Sequence, residues 1–163
     1  MNPVASLPRL RDLSPVDRGR IESITRAVGV FGDAEIPVAL EVFDAAIAGS
    51  PDYAAVGAEL DGELAGWICW GPTPCTAGTY DLYWIAVDPG AHGTGIGTAL
   101  LTRMERRLAG CGRLIVVETA GRPAYAATRA FYEARGYRRV AVIPEFYAPG
   151  DDQVVYTKAL SSG

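Results

Sequence analysis

From Ala54 to Val87 the chain reads as short apolar runs broken by turn residues, a rhythm that suits strands. Ala54 to Leu60 and Leu64 to Trp70 are predicted strands joined by Asp61-Gly62, a strong short hairpin signal. Gly71 to Gly78 is a Pro/Gly/Thr loop. Tyr80 to Val87 is the next strand, stopped by Asp88-Pro89-Gly90. The chain before this run reads differently. A short strand is predicted within Pro8 to Leu13, then Ser14 serves as N-cap with Pro15 at the first helical position. Asp17 at the third position suits the helix dipole, and the helix runs to about Val28. A second helix covers Ile36 to Ala48, with Val38, Val42 and Ala45/Ala46 near helical spacing, until Gly49-Ser50-Pro51 stops it.

After Val87 the rhythm becomes helical again. Ile96, Leu100, Met104 and Leu108 recur every four residues with Leu101 beside them, predicting an amphipathic helix over Gly95 to Ala109. Leu114 to Thr119 is a buried-type strand, so this centre predicts a right-handed β-α-β crossover with parallel strands. A last helix begins at Pro123 and ends at Gly136. Within it Ala127, Ala130, Phe131 and Ala134 form a face expected to pack on the sheet, and Tyr125, Thr128 and Tyr132 form a second face open to a cofactor. Tyr137 to Ile143 and Val154 to Lys158 are predicted to close as an antiparallel pair around a Pro/Gly/Asp loop. The expected fold class is α/β in the broad sense: an α+β mixed central sheet with one parallel crossover, flanked by helices. The length of 163 residues suits a single domain, 1–163.

Composition narrows the function classes. Apolar residues make up 49% and charged residues 21%, a normal globular balance, so disorder is expected only at the ends, Met1 to Pro8 and Leu160 to Gly163. Cys69, Cys75 and Cys111 are odd in number and show no C-x-x-C spacing, and His92 is the sole histidine, so no metal site is expected. Cys69 is expected to be a buried small apolar residue. The net charge of −4 argues against nucleic acid as a partner. No apolar run reaches membrane-spanning length, and a cytoplasmic location is expected.

His92-Gly93-Thr94-Gly95-Ile96-Gly97 lies between a strand and a helix start. Glycines there let the backbone turn tightly, and the amides at the helix N-terminus form an anion site suited to a diphosphate. The loop lacks the Gly-Lys-Ser/Thr of a Walker loop, and the antiparallel strands before it do not fit a doubly wound sheet.

Leu82-Tyr83-Trp84-Ile85-Ala86-Val87-Asp88-Pro89, the glycine turn and Ala99-Leu100-Leu101 together resemble the main acetyl-CoA motif of the GNAT acetyltransferase superfamily. Arg129 to Tyr137 resembles that family's second motif, Ala-x-x-Phe-Tyr-x-x-x-Gly-Phe/Tyr. The resemblance implies the GNAT acyl-CoA N-acyltransferase fold and an N-acetyltransferase that uses acetyl-CoA, without a metal, on a primary amine of a small molecule or peptide. It implies cofactor contacts from His92, Gly93, Thr94, Gly95, Ile96, Gly97 and Thr98, and from the strand backbone at Ile85, Ala86 and Val87. Tyr125, Thr128 and Phe131 complete the implied cofactor set. His92 stands where the family has Arg or Gln, and Tyr125 where it often has Asn. A homodimer is implied by resemblance only.

Acyl transfer to an amine expels a thiolate, which needs a proton donor, and the resemblance gives this role to Tyr132. The amine is cationic at neutral pH and needs a base. Glu118, at the end of the strand after the crossover, is the first candidate, and Asp81 on the preceding strand is the rival. Phe31, Asp81, Tyr83 and Tyr147 are the expected substrate contacts. The alternative from another class is a non-catalytic acyl-CoA sensor that keeps the phosphate cradle and lacks productive acid–base chemistry.

Overall fold

The computed structural model describes residues 6–161; residues 1–5 and 162–163 of the expected disordered ends lie outside the described residues. Along the chain come β1 (Arg9–Arg11), α1 (Arg18–Ala27), α2 (Glu35–Ile47), β2 (Ala54–Leu60), β3 (Glu63–Pro72), β4 (Thr79–Val87) and α3 (Ile96–Leu108). β5 (Leu114–Ala120), α4 (Ala126–Glu133), β6 (Arg138–Ala148) and β7 (Asp151–Ala159) follow. The strands form one mixed sheet in the order β1-β2-β3-β4-β5-β7-β6. β4 and β5 run parallel, from Thr79↔Leu114 to Leu82↔Val117, with α3 as the crossover between them. β5 pairs antiparallel with β7, from Leu114↔Ala159 to Ala120↔Gln153, so the last strand in sequence lies inside the sheet.

The chain divides into two compact units. The first holds Met1–Gly71 and Trp84–Arg107. Its core is built where α1 and α2 turn Ile21, Ile24, Ile36, Ala39, Leu40 and Phe43 onto Leu64, Trp67 and Cys69. Val38, although it fits the apolar spacing of α2, points outward at 50% exposure. Cys69 is buried as expected, and burial pushes its thiol up to about 12. Trp67 keeps its one polar atom satisfied by donating Nε1–H to Thr25 Oγ1 at 3.1 Å. Asp61 and Gly62 take positive φ values of 54° and 85°, the left-handed pair that a tight β2–β3 hairpin needs. Asp17 does more than complement a helix dipole. It accepts Ser14 N–H at 2.9 Å and pairs with Arg11 at 2.8 Å, and Arg11 in turn reaches Glu59 at 2.5 Å, which ties β1 to β2 and to the start of α1. On α3 the predicted stripe is buried: Ile96, Leu100, Leu101, Met104 and Leu108 are each at most 3% exposed. Gly66 lets this helix approach β3 closely, because a Cβ there would stand 2.7 Å from Ile96 Cγ2 and 3.1 Å from the Ala86 carbonyl oxygen.

The second unit holds Pro72–Tyr83 and Leu108–Gly163. Two expectations fail here. The face of α4 that packs inward is the one carrying Tyr132, at 2% exposure, whereas Ala127, Ala130 and Ala134 are exposed. An aromatic ring removes far more apolar area from water than an alanine methyl, about 1.5–3 kcal/mol for a large side chain, so the ring sets the orientation. Tyr132 lies 5.5 Å from the Tyr137 ring and 6.2 Å from that of Tyr156. The second correction concerns the expected loop after Ile143. β6 continues to Ala148, and only Pro149 and Gly150 form the turn. Pro144 cannot donate to a ladder, but β6 is the last strand of the sheet, where proline is tolerated. The register slips between Ile143 and Ala148 to absorb it.

Candidate active site

The glycine turn belongs to the first unit. Asp88 opens it: Oδ1 accepts Gly90 N–H at 2.9 Å, and Oδ2 pairs with Arg20 Nη2 at 2.6 Å. Those contacts, the backbone bond first, hold the Asp88 carboxyl below its usual range. Arg20 also donates Nε–H to the Leu64 carbonyl at 2.8 Å, so one guanidinium fixes both the loop entrance and β3. Arg20 does not stand out in the sequence, and its pairing with Asp88 spans 68 residues. His92 is exposed and its Nε2 lies 3.2 Å from the Val87 carbonyl oxygen, which makes it a brace of its own loop. Thr94 Oγ1 donates to the Ala91 carbonyl at 2.5 Å.

Gly93 and Gly95 have φ values of 77° and 85°, which L side chains rarely adopt. No atom lies within 4 Å of where either Cβ would be, so the turn is bare above these glycines. The α3 ladder opens with Ala99 N–H donating to the Gly95 carbonyl at 2.9 Å. The amides of Ile96 and Gly97 precede that bond, in the position where a helix start presents donors to an anion. Open space, left-handed glycines and a helix start fit a diphosphate. Ile85, Ala86 and Val87 lie just before this turn on β4, with Ala86 buried. Phe31 sets its ring edge on Trp84, centroids 4.9 Å apart, and packs against the core cluster of this unit.

In the second unit Asp81, Glu118 and Gln153 share one sheet face, whereas Tyr132 packs on the other, against Tyr156, whose ladder partner is Val117. Asp81 is opposite Val116 in the β4–β5 ladder, and Glu118 follows two residues on, so both carboxylates project to the same side. Glu118 is the one exposed residue of β5, set between buried Val117 and Thr119, and burial first, then the charge of Asp81, raises its carboxyl above the ordinary carboxylate value. Gln153 on β7, only 4% exposed, donates Nε2–H to Glu118 Oε2 at 3.2 Å. Thr73 donates its hydroxyl to Asp81 Oδ2 at 2.7 Å. The sequence reading missed Gln153 and Thr73. Gln153 becomes visible only once β7 is known to lie beside β5.

Tyr132 is enclosed by Phe131, Tyr137 and Tyr156, and this burial pushes its phenol above the usual tyrosine value. The group is a neutral O–H at any physiological pH. Phe131 is covered by the Arg135 guanidinium at 3.7 Å. Tyr125 and Thr128 are half-buried, with Arg122 over the Tyr125 ring at 4.9 Å. Arg129 donates to the Ala120 and Arg122 carbonyls at 2.8 and 3.1 Å and so fixes the exit of β5. Tyr83 is exposed, and Tyr147, on β6, stands outward beside Phe146. Thr119 Oγ1 and Asp151 Oδ1 are buried without a hydrogen-bond partner among the described residues. No group of three or more His, Cys, Asp or Glu side chains that could hold a metal occurs among the described residues, and no helix among them is long and apolar enough to cross a membrane.

Comparison with known proteins supplies the family. Residues 22–137 match the model of the acetyltransferase (GNAT) family. An uncharacterized N-acetyltransferase of Methanocaldococcus jannaschii is 34% identical over 108 residues, 62% of this chain, and the match spans 63% of that relative's length, under two thirds of it. Among solved structures, a protein of Desulfovibrio desulfuricans assigned to the GNAT family superposes with a TM-score of 0.87 at 38% identity, over 94% of this chain and 99% of that one. A Salmonella typhimurium protein solved with its cofactor acetyl-CoA shares the fold at a TM-score of 0.74 and 19% identity, over 96% of this chain and 95% of that one. The mixed sheet with its single parallel crossover, the glycine turn at the start of α3 and the family match over most of the chain lead to one conclusion: the chain belongs to the acetyltransferase (GNAT) family.

Proposed function

We propose that this protein is an N-acetyltransferase that moves an acetyl group from acetyl-CoA to a primary amine of a small molecule or peptide, by direct attack in a ternary complex. Residues 1–163 act as one catalytic domain. The observation that carries the reading is Glu118: a carboxylate with a raised pKa, held by Gln153 and sharing its sheet face with Asp81. Two carboxylates favour an incoming ammonium, and the raised pKa of Glu118 suits it to accept a proton near neutral pH.

Acetyl-CoA, when bound, supplies the acyl group as an activated thioester. The amides at Gly93 to Thr98 hold its diphosphate, with His92 bracing the loop from behind. The backbone of Ile85, Ala86 and Val87 pairs with the pantetheine as an added strand would. Tyr125, Thr128 and Phe131 complete the cofactor contacts. Glu118 takes a proton from the substrate ammonium, directly or through a water, and the freed amine lone pair forms the C–N bond at the thioester carbonyl as the C–S bond breaks. Tyr132, kept protonated by its burial, gives its proton to the departing sulfur in this reading. Phe31, Asp81, Tyr83 and Tyr147 are the substrate contacts in this reading. A homodimer and a cytoplasmic setting belong to it as well, the former by family resemblance alone.

The test is thiol release from acetyl-CoA with a panel of small amines and peptide N-termini, using wild type and Glu118→Gln. Amine-dependent release that falls about 100-fold or more in the variant supports the reading. Tight acetyl-CoA binding with no release for any amine would return the chain to a sensor role.

A further inference from the structure

The flank of α3 that turns away from its buried stripe is given no role in the acetyl transfer proposed above, and it is unusually basic. Ala99, Thr102, Arg103, Arg106 and Arg107 follow helical spacing i, i+3, i+4, i+7 and i+8, so they form one continuous strip. Together with Leu10 of β1 they line an open cleft of about 500 Å³. That volume falls in the range of small-molecule sites, roughly 300–1,000 Å³. Arg107 spends part of its charge on Asp12, with Nη2 to Oδ1 at 3.3 Å. Arg103 and Arg106 make no ion pair or hydrogen bond among the described residues. Glu105, the one acidic residue of α3, is adjacent in sequence and therefore lies around the helix from this strip.

Arg103, Arg106 and Arg107 thus line one cleft in a chain whose net charge is −4, and of the three it is Arg107 that pairs with Asp12. Like charges at i, i+3 and i+4 repel, and the C-terminal helix dipole offsets only part of that cost. A bound dianion removes the repulsion. Guanidinium forks match phosphate oxygens two at a time. Leu10, Ala99 and Thr102 line the cleft beside Arg103 and Arg106 and offer it apolar carbon.

We propose that this cleft is a second ligand site, which takes a phosphomonoester carrying an apolar or aromatic body. Arg103 and Arg106 grip the phosphate, and Leu10, Ala99 and Thr102 receive the body. The site is separate from the glycine turn. The turn ends at Thr98, the cleft begins at Ala99, and none of the lining residues is shared. The inference does not depend on the catalytic reading of Glu118 and Tyr132.

The experiment is a calorimetric or NMR titration of phenyl phosphate into the full chain at low salt, with CoA present in excess so that the glycine turn does not compete. Wild type is expected to show one saturable site in the submillimolar range that weakens as salt rises. The double variant Arg103→Ala/Arg106→Ala is expected to bind at least tenfold more weakly, with CoA affinity within twofold of wild type. Arg103→Lys/Arg106→Lys keeps the charge and loses the forks, and is expected to fall between the two. Circular dichroism melting of each variant controls for folding. Absence of saturable binding to wild type, or equal binding by wild type and the alanine variant, would overturn the proposal. Inorganic phosphate binding as tightly as phenyl phosphate would overturn the role of Leu10, Ala99 and Thr102.

Discussion

Gln153 donates its side-chain N–H to Glu118 Oε2 at 3.2 Å, from a position on β7 that is 4% exposed. A buried amide that finds a carboxylate both orients it and favours its charged form. Removal of the donor should therefore raise the Glu118 pKa further. In Gln153→Ala the acidic limb of the kcat/KM profile is expected to move to higher pH, and kcat at neutral pH to fall severalfold. KM for acetyl-CoA is expected to stay within twofold. Gln153→Asn keeps the amide on a shorter arm and should recover part of the rate. A limb that does not move would show that Gln153 only packs.

Asp81 acts on the same carboxylate with the opposite sign. Its negative charge is the second cause, after burial, of the raised Glu118 value. Asp81→Asn removes that charge, so the Glu118 pKa falls back toward the ordinary carboxylate value of about 4.3. Glu118 must be deprotonated to serve as base, so activity is lost as pH falls through its pKa. The Asp81→Asn limb should lie at lower pH than that of wild type, and the Gln153→Ala limb at higher pH. Initial rates from pH 5 to 9 check both. If Asp81 rather than Glu118 were the base, Asp81→Asn would abolish the rate instead of displacing the limb.

The local devices were legible in the sequence because each depends on near neighbours. Asp61-Gly62 announces its hairpin, and the four-residue recurrence from Ile96 to Leu108 announces the buried stripe of α3. The partnership of Gln153 with Glu118 was not legible, because β7 reaches β5 only after the chain has passed through β6 at the far side. Nothing in the period of either strand carries that order. The face of α4 was misread for a different reason. The alanines at 127, 130 and 134 satisfy helical spacing as well as the tyrosines do, and only ring area decides between the two faces. The extent of β6 was missed for a third reason. Pro144 breaks a central strand but not an edge strand, and edge position is a property of the whole sheet.

Tyr132 offers a test in which chemistry and packing separate. Its ring is enclosed by Phe131, Tyr137 and Tyr156, and only its hydroxyl is assigned to catalysis. Tyr132→Phe keeps the ring and is expected to melt close to wild type while kcat falls about 100-fold. Tyr132→Ala leaves a cavity and is expected to lose about 3–5 kcal/mol of stability. Chemical denaturation and thiol release, measured on both variants, check the pair. A Tyr132→Phe enzyme with unchanged kcat would leave Tyr132 as a core residue alone.

Gly66 and Gly95 predict two different failures of one helix. At Gly66 a methyl group would meet Ile96 Cγ2 at 2.7 Å, the Ala86 carbonyl oxygen at 3.1 Å and Leu100 Cδ1 at 3.2 Å. The carbonyl is β4 backbone and gives little, and Ile96 Cγ2 sits on a stiff β-branched carbon of α3, so Gly66→Ala forces α3 away from β3. Overpacking of this kind costs about 1–3 kcal/mol. At roughly 2–4 °C per kcal/mol for a chain of this size, the melting temperature should drop by several degrees. At Gly95 a methyl group meets nothing within 4 Å, and the strain lies in the backbone, where φ is 85°. Gly95→Ala should cost only about 1–2 kcal/mol of stability. The loop can relieve that strain by rotating its amides away from the anion position, so acetyl-CoA affinity should fall more than tenfold. Gly66→Ala moves the whole helix and should lose stability first, with affinity following. Thermal melts and acetyl-CoA titrations on both variants separate the two. Full acetyl-CoA affinity in Gly95→Ala would remove the glycine turn from the cofactor site.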